Sequence, residues 1–108
     1  MRRGDLLIAV LSGDYGKPRP AVLVQSEDLF ETESLLVCPL TSEIETAGPF
    51  RPLIEPTAEN GLTSPSIIMT EKVTAVPRRR CREHIGRLAP DQIKMLDTSL
   101  MYVLGLGD

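Results

Sequence analysis

One long segment with helical periodicity lies at the end of this chain, and it restricts what the remaining residues can build. Over residues 90–104 apolar side chains recur every three or four positions, which gives a helix one apolar face. That face consists of Ile93, Leu96, Leu100, Val103 and Leu104. Pro90 suits the first helical position, and Gly105 suits the end of the helix. Met95 and Met101 could extend this face or meet a partner, and extension of the core is the predicted role.

The chain before this helix contains short apolar runs of strand length, separated by turn residues. The predicted strands span residues 5–12, 20–26, 35–40, 50–55, 66–70 and 84–88, and the fifth has room to continue to Val76. Both faces of the first strand are apolar, so we expect it to be covered on both sides. Pro39 in the third strand predicts an edge position or a bulge. A short helical turn is predicted over residues 27–33, and a basic linker over residues 77–83.

Strands that come first and a helix that comes last predict a mainly β (α+β) fold, a small antiparallel, partly closed barrel with a C-terminal α-helix. The 108 residues have the length of one domain, and residues 1–108 are predicted to form a single one. No apolar run is long enough to cross a bilayer. The run that follows Arg2 and Arg3 is too short for a signal peptide, so a cytoplasmic protein is predicted.

Charge and cysteine content exclude two classes of protein. The formal net charge of −3 excludes a generally basic coat for nucleic acid, so any polyanion must meet a local basic patch. Cys38 and Cys81 are far apart and the chain has one histidine, so no zinc-ligand set exists and no metal or other cofactor is expected. Cys38 is predicted to be a buried thiol. Cys81 follows three arginines, whose charge would make it the more reactive of the two.

A rigid cationic segment precedes the second strand. Residues 16–25 read GKPRPAVLVQ, so Arg19 stands between two prolines. Proline fixes its own φ and pushes the preceding residue towards extended backbone, so Lys17 and Arg19 are both biased to be extended. Side chains alternate along an extended chain, so these two cations point the same way. Such a pair is suited to an anion, and a phosphate is the obvious candidate.

Six segments, taken in order, resemble the MazF/PemK (Kid) family of toxins from type II toxin–antitoxin systems. They read MRRGDL, GKPRPAVLVQ, VCPLTS, GLTSPS, IGRL and VLGL, and together they span nearly the whole chain. The combination of GKPRPAV with PLTS is the specific part. The resemblance implies an SH3-like or CcdB-like barrel, a homodimer, and an endoribonuclease that cuts single-stranded RNA, often mRNA, and so inhibits growth. It also implies a cognate antitoxin whose C-terminal tail wraps the dimer and blocks the site.

The resemblance assigns catalytic roles to particular residues. The family's catalytic arginine falls on Arg19 and its catalytic threonine on Thr41, while Ser42 matches the serine that follows. In the Kid/PemK branch an arginine and an aspartate near the fifth strand also act, and here those positions carry Met69 and Glu71. Glu71 can replace the aspartate, but Met69 cannot replace the arginine. The catalytic pair of the MazF branch, Arg19 with Thr41, is therefore the part of the family's site that the resemblance keeps intact in this chain.

Metal-free RNA cleavage requires an acceptor for the 2′-OH proton and cations for the charge that develops at phosphorus. Arginine remains protonated, so Arg19 is expected to bind the phosphate and stabilise the transition state. The hydroxyls of Thr41 and Ser42 would hydrogen-bond a phosphoryl oxygen or the 2′-OH. Glu71 is the predicted base, with Asp14 as the second candidate. A single histidine, His84, cannot form a two-imidazole pair, and it is predicted to be structural.

RNA binding requires further contacts. Lys17 and Arg51 are predicted to follow the RNA backbone on either side of Arg19, and Tyr15 is predicted to stack on a base. Lys72 and the basic cluster of residues 78–82 are further candidates, although the cluster could instead pair with acidic surface or with the antitoxin. Aromatic residues make up 4% of the chain, so specificity would depend largely on hydrogen bonds from loops.

Two other functions remain open. CcdB proteins resemble this family and poison DNA gyrase, but their interaction relies on a tryptophan close to the C-terminus, and this chain has no tryptophan. A non-catalytic barrel that binds RNA or a peptide is the second alternative. Incubation with RNA in the presence of a chelator separates both from a metal-independent nuclease.

Overall fold

The fold is an antiparallel sheet that curls into a half-barrel, with one helix packed on it. A computed structural model describes residues 1–11, 16–29 and 31–107. The strands are β1 (Asp5–Val10), β2 (Pro18–Leu23), β3 (Ser34–Thr41), β4 (Leu53–Ile54), β5 (Ser66–Ile68), β6 (Thr74–Pro77) and β7 (Cys81–Arg87). Helix α1 is Pro90–Leu104, and 3₁₀ turns span Ile44–Thr46, Thr70–Lys72 and Arg78–Arg80. This architecture confirms the predicted fold class.

The curl of the sheet arises from β3, which changes partner along its length. The strand order is β4-β5-β3-β2-β1-β7, and β6 also pairs with β3. The first half of β3 pairs with β6, from Ser34 opposite Pro77 to Val37 opposite Thr74. The end of β3 pairs instead with β5, where Leu40 lies opposite Ile68. Because β3 pairs with two different strands along the same edge, the sheet bends along β3 and curls into a half-barrel.

Strand β1 is buried on both faces, as its continuous apolar sequence predicts. Leu6 has no exposed surface and packs in one core cluster with Leu96 and Leu100 of the helix. Leu7 is equally buried, but it packs in a second cluster on the opposite face with Leu35. Successive side chains of a strand point to opposite faces, so β1 contributes to two cores at once.

Helix α1 has the predicted bounds, but its apolar face is only partly buried. The Gln92 side chain accepts a hydrogen bond from the Ala89 backbone N–H at the start of the helix, and Gly105 ends it with a φ of 71°. Leu96 and Leu100 are buried, whereas Leu104 is 54% exposed. Met95 and Met101 were predicted to extend the core, and this is wrong, because both side chains are exposed.

Pro39 does not lie on an edge strand, contrary to the sequence-based expectation. It pairs with Ala21 of β2, and on the other side its carbonyl accepts a hydrogen bond from the Met69 N–H. The N and C=O of one residue point to the same side of a strand, so the missing N–H faces the gap between β5 and β6. The partner strand is interrupted there by the turn Thr70–Lys72, so no ladder hydrogen bond is lost.

Other predicted boundaries also differ from the structure. The fifth strand does not continue to Val76, because the Thr70–Lys72 turn divides it into β5 and β6, and the buried Thr70 hydroxyl donates to the Phe50 carbonyl. The predicted linker over 77–83 is a 3₁₀ turn followed by the start of β7. Residues 27–29 and 31–33 contain no helix. The fourth strand is limited to Leu53–Ile54. No helix in the described ranges is long and apolar enough to cross a membrane.

The buried carboxylate of Asp5 ties the N-terminal segment to β7. It accepts hydrogen bonds from the Arg2 N–H at 2.7 Å and from Arg87 Nη1 at 3.0 Å, and His84 Nε2 lies 3.5 Å away. Burial alone would raise the pKa of Asp5, but the two hydrogen bonds and the charges of His84 and Arg87 outweigh it, so the pKa is lowered. His84 thus lies beside the ion pair of Asp5 with Arg87.

A group with a lowered pKa stabilises the folded state above its unfolded pKa and loses that contribution as pH falls through its folded pKa. We expect Asp5→Asn to reduce the free energy of unfolding at pH 7 by about 1–3 kcal/mol, because it weakens charge-assisted hydrogen bonds. The two proteins should converge in stability below about pH 4, near the ordinary pKa of aspartate. Urea unfolding at several pH values measures this, and Asp28→Asn, at an exposed turn, is the control. An equal loss at all pH values would contradict the assignment.

Candidate active site

Arg19 and Thr41 lie at the ends of two paired strands where these strands open. Strands β2 and β3 are antiparallel, with Ala21 opposite Pro39 and Val22 opposite Cys38. Arg19 and Thr41 each lie two residues beyond the pair of Ala21 with Pro39, where the ladder ends. Side chains two positions apart in a strand point to the same face, so Arg19 and Thr41 share the face of that pair. On its other side Arg19 pairs with Ala9 of β1, so its backbone is held inside the sheet.

Two clefts meet at this pair of residues. We call the first, of about 410 Å³, the β6 cleft, because Thr74–Pro77 line it together with Lys72 and Arg80. We call the second, of about 590 Å³, the loop cleft, because residues 61–64 line it together with Lys17, Ser42 and Glu83. Within the described part of the chain, three residues line both clefts, and they are Arg19, Thr41 and Glu43. These three therefore form the junction of the clefts.

A hydrogen-bonded turn fixes the direction of the Thr41 hydroxyl. Its oxygen accepts a hydrogen bond from the Glu43 backbone N–H at 3.2 Å. The turn continues with Ile44 N–H donating to the Ser42 carbonyl at 2.9 Å and Thr46 N–H donating to the Glu43 carbonyl at 3.0 Å. Since the hydroxyl oxygen already accepts from the backbone, its own proton is directed elsewhere and can be donated to a ligand in the clefts.

The wall of the loop cleft is held rigidly by a buried asparagine. Asn60 has no exposed surface, and its Oδ1 accepts hydrogen bonds from the N–H groups of Thr57 and Leu62, each at 3.0 Å. Its Nδ2 donates to the Glu55 carbonyl at 2.9 Å. The next residue, Gly61, has a φ of +70°, and a Cβ atom there would lie 2.0 Å from the Ile85 carbonyl oxygen. The loop is therefore pressed directly against β7.

Arg51 and Glu71 form an ion pair outside the linings of the two clefts. Arg51 Nε donates to Glu71 Oε2 at 2.9 Å, and Arg51 Nη2 forms an ion pair with the same oxygen. The hydrogen bond from Arg51 lowers the pKa of Glu71, against the smaller opposing effect of burial. The same bond raises the pKa of Arg51. Neither residue lines the clefts, so the structure does not bring them to Arg19 and Thr41.

A family model for the PemK-like, MazF-like toxins of type II toxin–antitoxin systems matches residues 2–104. The chain belongs to this family. A protein from Mycolicibacterium smegmatis (strain ATCC 700084 / mc(2)155), "Probable endoribonuclease MazF", is 40% identical over 108 residues, and the match covers 99% of each chain. These findings confirm the resemblance seen in the sequence.

Several solved structures, MazF proteins among them, share the fold. A mycobacterial endoribonuclease in complex with its cognate antitoxin gives a TM-score of 0.84 at 17% identity, covering 100% of this chain and 98% of the other. Mycobacterium tuberculosis toxin MazF-mt6 gives 0.81 at 22% identity, covering 96% and 99%. A MazE–MazF structure (Form-II) from Deinococcus radiodurans gives 0.75 at 21% identity, covering 97% and 95%. These likenesses confirm the half-barrel.

The remaining predicted site residues of this MazF-like chain fall into two groups. Lys17 and Ser42 are exposed and line the loop cleft beside Arg19 and Thr41. Tyr15 and Asp14 lie outside the described residues. The structure thus places Lys17 and Ser42 in the loop cleft, next to the junction, and their contact with RNA stays a prediction.

The basic cluster over 78–82 does not act as one unit. Arg80 lines the β6 cleft together with Lys72. Arg78 is used structurally, because its backbone N–H donates to the Glu33 carbonyl at 3.0 Å and its Nε donates to the Thr32 carbonyl. Arg79 and Arg82 are exposed and line neither of the two clefts. Arg80 is therefore the member of the cluster that lines a cleft at the junction.

Sequence reasoning missed Glu43, which lies in the polar segment between the third and fourth predicted strands. The residue lies two positions after Thr41, in the segment that carries the PLTS motif. Its place at the junction depends on the turn that bends the chain back after β3, and a polar segment without a periodic pattern does not predict that turn. The position next to the motif was the available indication.

The two cysteines have little thiolate character. Burial raises the pKa of the Cys38 thiol to about 12. Burial also raises the pKa of Cys81, and the charge of Arg78 offsets this only in part. The expected lowering of the Cys81 pKa by its cationic neighbours is therefore wrong, because burial outweighs Arg78. That Cys81 is the more reactive of the two thiols stays a prediction. No group of three or more His, Cys, Asp or Glu residues within the described ranges could hold a metal ion.

The rigid loop wall predicts different costs for two glycines with the same backbone conformation. Gly61 and Gly105 have φ of +70° and +71°, but a Cβ at Gly105 would meet nothing within 4 Å. We expect Gly105→Ala to cost about 1 kcal/mol from backbone strain alone. Gly61→Ala should cost at least about 2 kcal/mol more, because its Cβ collides with backbone. Urea unfolding of both variants measures the difference, and equal costs would contradict the close approach of the loop to β7.

Proposed function

We propose that this chain is the toxin of a type II toxin–antitoxin pair and acts as a metal-independent endoribonuclease on single-stranded RNA, including mRNA. The supporting observation is that Arg19 and Thr41, from the adjacent strands β2 and β3, both line the two clefts that meet at these residues. The family consists of toxins, and the M. smegmatis relative is named as an endoribonuclease.

Arg19 is the residue that meets the phosphate. Its guanidinium is planar, and its N–H donors match two phosphate oxygens. Cleavage places additional negative charge on the phosphorus oxygens in the transition state, and a fixed cation stabilises that state more than the ground state. The sheet pairing of Arg19 with Ala9 holds its backbone in place before RNA binds.

Thr41 acts as a hydrogen-bond donor to the same phosphate. Its oxygen is occupied by the Glu43 N–H at 3.2 Å, so the hydroxyl proton is the group that it offers to RNA. Ser42, at the mouth of the loop cleft, supplies a second hydroxyl for the phosphate or a neighbouring sugar. Together with Arg19 these donors hold the phosphodiester at the junction of the clefts.

The reaction uses the 2′-OH of the RNA as the nucleophile. The 2′-oxygen forms a bond to phosphorus, and the bond from phosphorus to the 5′-oxygen breaks. The products are a 2′,3′-cyclic phosphate and a 5′-OH end. DNA lacks this hydroxyl and is therefore not a substrate.

The clefts give the RNA strand a path across the junction. Lys17 lies in the loop cleft, and Lys72 and Arg80 lie in the β6 cleft, so cations stand on either side of Arg19. A single strand laid through both clefts carries its flanking phosphates past these side chains. The hydroxyls of Thr63 and Ser64 in the loop cleft are suited to hydrogen bonds with an unpaired base.

Assembly and location belong to the same proposal. The exposed apolar residues Met95, Met101, Tyr102 and Leu104 on α1 support a homodimer, which sedimentation would detect as twice the chain mass of 11.9 kDa. A cognate antitoxin would block the clefts with a segment that carries carboxylates for the same cations. The site of action is the cytoplasm, where mRNA is translated.

Removal of the phosphate-directed groups tests the catalytic assignment. We expect Arg19→Ala to slow cleavage by about a hundred- to a thousand-fold, because a charge-stabilising donor is lost. Thr41→Val should also slow cleavage, whereas Thr41→Ser should retain most of it. The assay uses a long RNA in EDTA, with analysis of the product ends and circular dichroism as the control for folding. Near-normal cleavage by folded Arg19→Ala protein, or no cleavage by the wild type in EDTA, would refute the proposal.

The cations of the β6 cleft should contribute to affinity through phosphates. We expect Lys72→Ala combined with Arg80→Ala to weaken binding of an RNA blocked by 2′-O-methyl groups. The slope of log K against log salt should fall by about 0.7 for each lost phosphate contact. Arg79→Ala combined with Arg82→Ala removes the same charge outside the clefts and is the matched control. Equal effects of the two double variants would contradict the proposed RNA path.

A further inference from the structure

We propose that Glu43 is the general base of this reaction and accepts the proton of the attacking 2′-OH. This inference rests on the proposed ribonuclease function and assigns a role that the sequence-based reading gave to Glu71. It follows from the position of Glu43 at the junction of the two clefts, beside Arg19 and Thr41.

The position of Glu43 is what a base requires. An attacking hydroxyl lies next to the scissile phosphate, so its proton acceptor must lie within hydrogen-bond reach of the same point. In the described part of the chain, the acidic residues that line the clefts are Glu43 and Glu83, and Glu43 is the one that lines both. Glu83 belongs to the loop cleft alone.

The backbone holds Glu43 where it is. Its N–H donates to the Thr41 hydroxyl at 3.2 Å, and its carbonyl accepts from the Thr46 N–H at 3.0 Å. The Thr46 hydroxyl donates to that carbonyl as well, at 2.7 Å. With both backbone groups of Glu43 bonded, its Cα is fixed relative to Thr41. The base and the hydroxyl donor are thus parts of one turn.

Glu71 is less suited to the same role. Its Oε2 accepts from Arg51 Nε at 2.9 Å and also pairs with Arg51 Nη2, and this contact lowers its pKa. A carboxylate held by a guanidinium binds a proton less readily, which makes it a weaker base. Glu71 also lines neither of the clefts in which Arg19 and Thr41 lie.

The charged groups around Glu43 come from several elements. Arg19 of β2 lines both clefts with it, Lys72 and Arg80 line the β6 cleft, and Lys17 and Glu83 line the loop cleft. The negative charge of Glu43 also contributes to the raised pKa of Arg51. Bound RNA adds phosphates to this set. Glu43 therefore acts inside a mainly cationic surrounding, which a polyanionic substrate partly neutralises.

The step balances without a cofactor. The 2′-oxygen forms a bond to phosphorus while its proton passes to the Glu43 carboxylate, and the bond to the 5′-oxygen breaks with its electron pair remaining on that oxygen. Arg19 and the Thr41 hydroxyl stabilise the phosphoryl oxygens. The departing 5′-oxygen takes a proton from solvent water, and Glu43 returns its proton to solvent.

The experiment measures single-turnover cleavage from pH 4 to pH 8 on an RNA oligonucleotide that contains a mapped wild-type cut site. An enzyme with a carboxylate base loses rate as pH falls towards about 4, where carboxylates become protonated. We expect Glu43→Gln to be slower by about a hundred- to ten-thousand-fold at pH 7 and to lack this acid limb. Glu45→Gln, at an exposed position two residues further on, is the matched control and should behave as wild type.

Binding separates catalysis from RNA positioning. Glu43→Gln removes a negative charge near phosphates, so it should bind uncleavable 2′-O-methyl RNA as tightly as wild type or more tightly. Glu43→Asp keeps the carboxylate and should be slower but retain the acid limb, which provides a second test if Glu43→Gln fails to fold.

Several results would overturn the inference. They are an unchanged acid limb in Glu43→Gln, an equal loss of RNA affinity and rate, loss of the limb in Glu71→Gln instead, or absence of the limb from folded Glu43→Asp. Wild-type protein that does not cleave RNA would overturn the proposed function, and the role of Glu43 with it. Wild-type cleavage with an unaffected Glu43→Gln would overturn only the role of Glu43.

Discussion

The antiparallel pairing of β2 with β3 is the constraint on which the rest of the site depends. With Ala21 opposite Pro39, the beginning of β2 lies next to the end of β3, and this brings Arg19 near Thr41. A shift of one residue would turn every side chain of a strand to the other face and separate the two. The register is secured because Val22 packs in one core cluster and Leu23 in the other, so either face would lose its packing in a shifted strand.

The division of β3 between two partners creates space next to this pair. Strand β6 covers the first half of β3 and β5 covers its end, while the turn Thr70–Lys72 separates them. Pro39 lies at that separation, where its missing N–H requires no partner. The β6 cleft opens beside the same break. Proline lacks the N–H that a continuous ladder of hydrogen bonds requires. Pro39 is therefore tolerated here, because the ladder along this edge of β3 is interrupted at the same point.

The sequence predicts the secondary-structure elements that have a local pattern. It does not predict the features that depend on tertiary contacts. Period and length predicted helix Pro90–Leu104 and the double burial of β1, and the motif residues predicted that Arg19 and Thr41 share a site. No local pattern predicts that Arg51 pairs with Glu71, because the contact spans 20 residues and depends on the barrel. The interruption of the fifth strand depends on the bond from Thr70 to Phe50, which is equally distant in sequence. Glu43 was overlooked because a polar loop carries no periodicity.

Arg19, Thr41 and Glu43 belong to the linings of both clefts, and this arrangement has a consequence for inhibition. A molecule lodged in either cleft reaches the same three side chains. A short peptide bound in one cleft would therefore inhibit the enzyme while the other cleft stays open to solvent. Activity would then return when this one peptide dissociates from its cleft, and an inhibitor that spans both clefts is not needed.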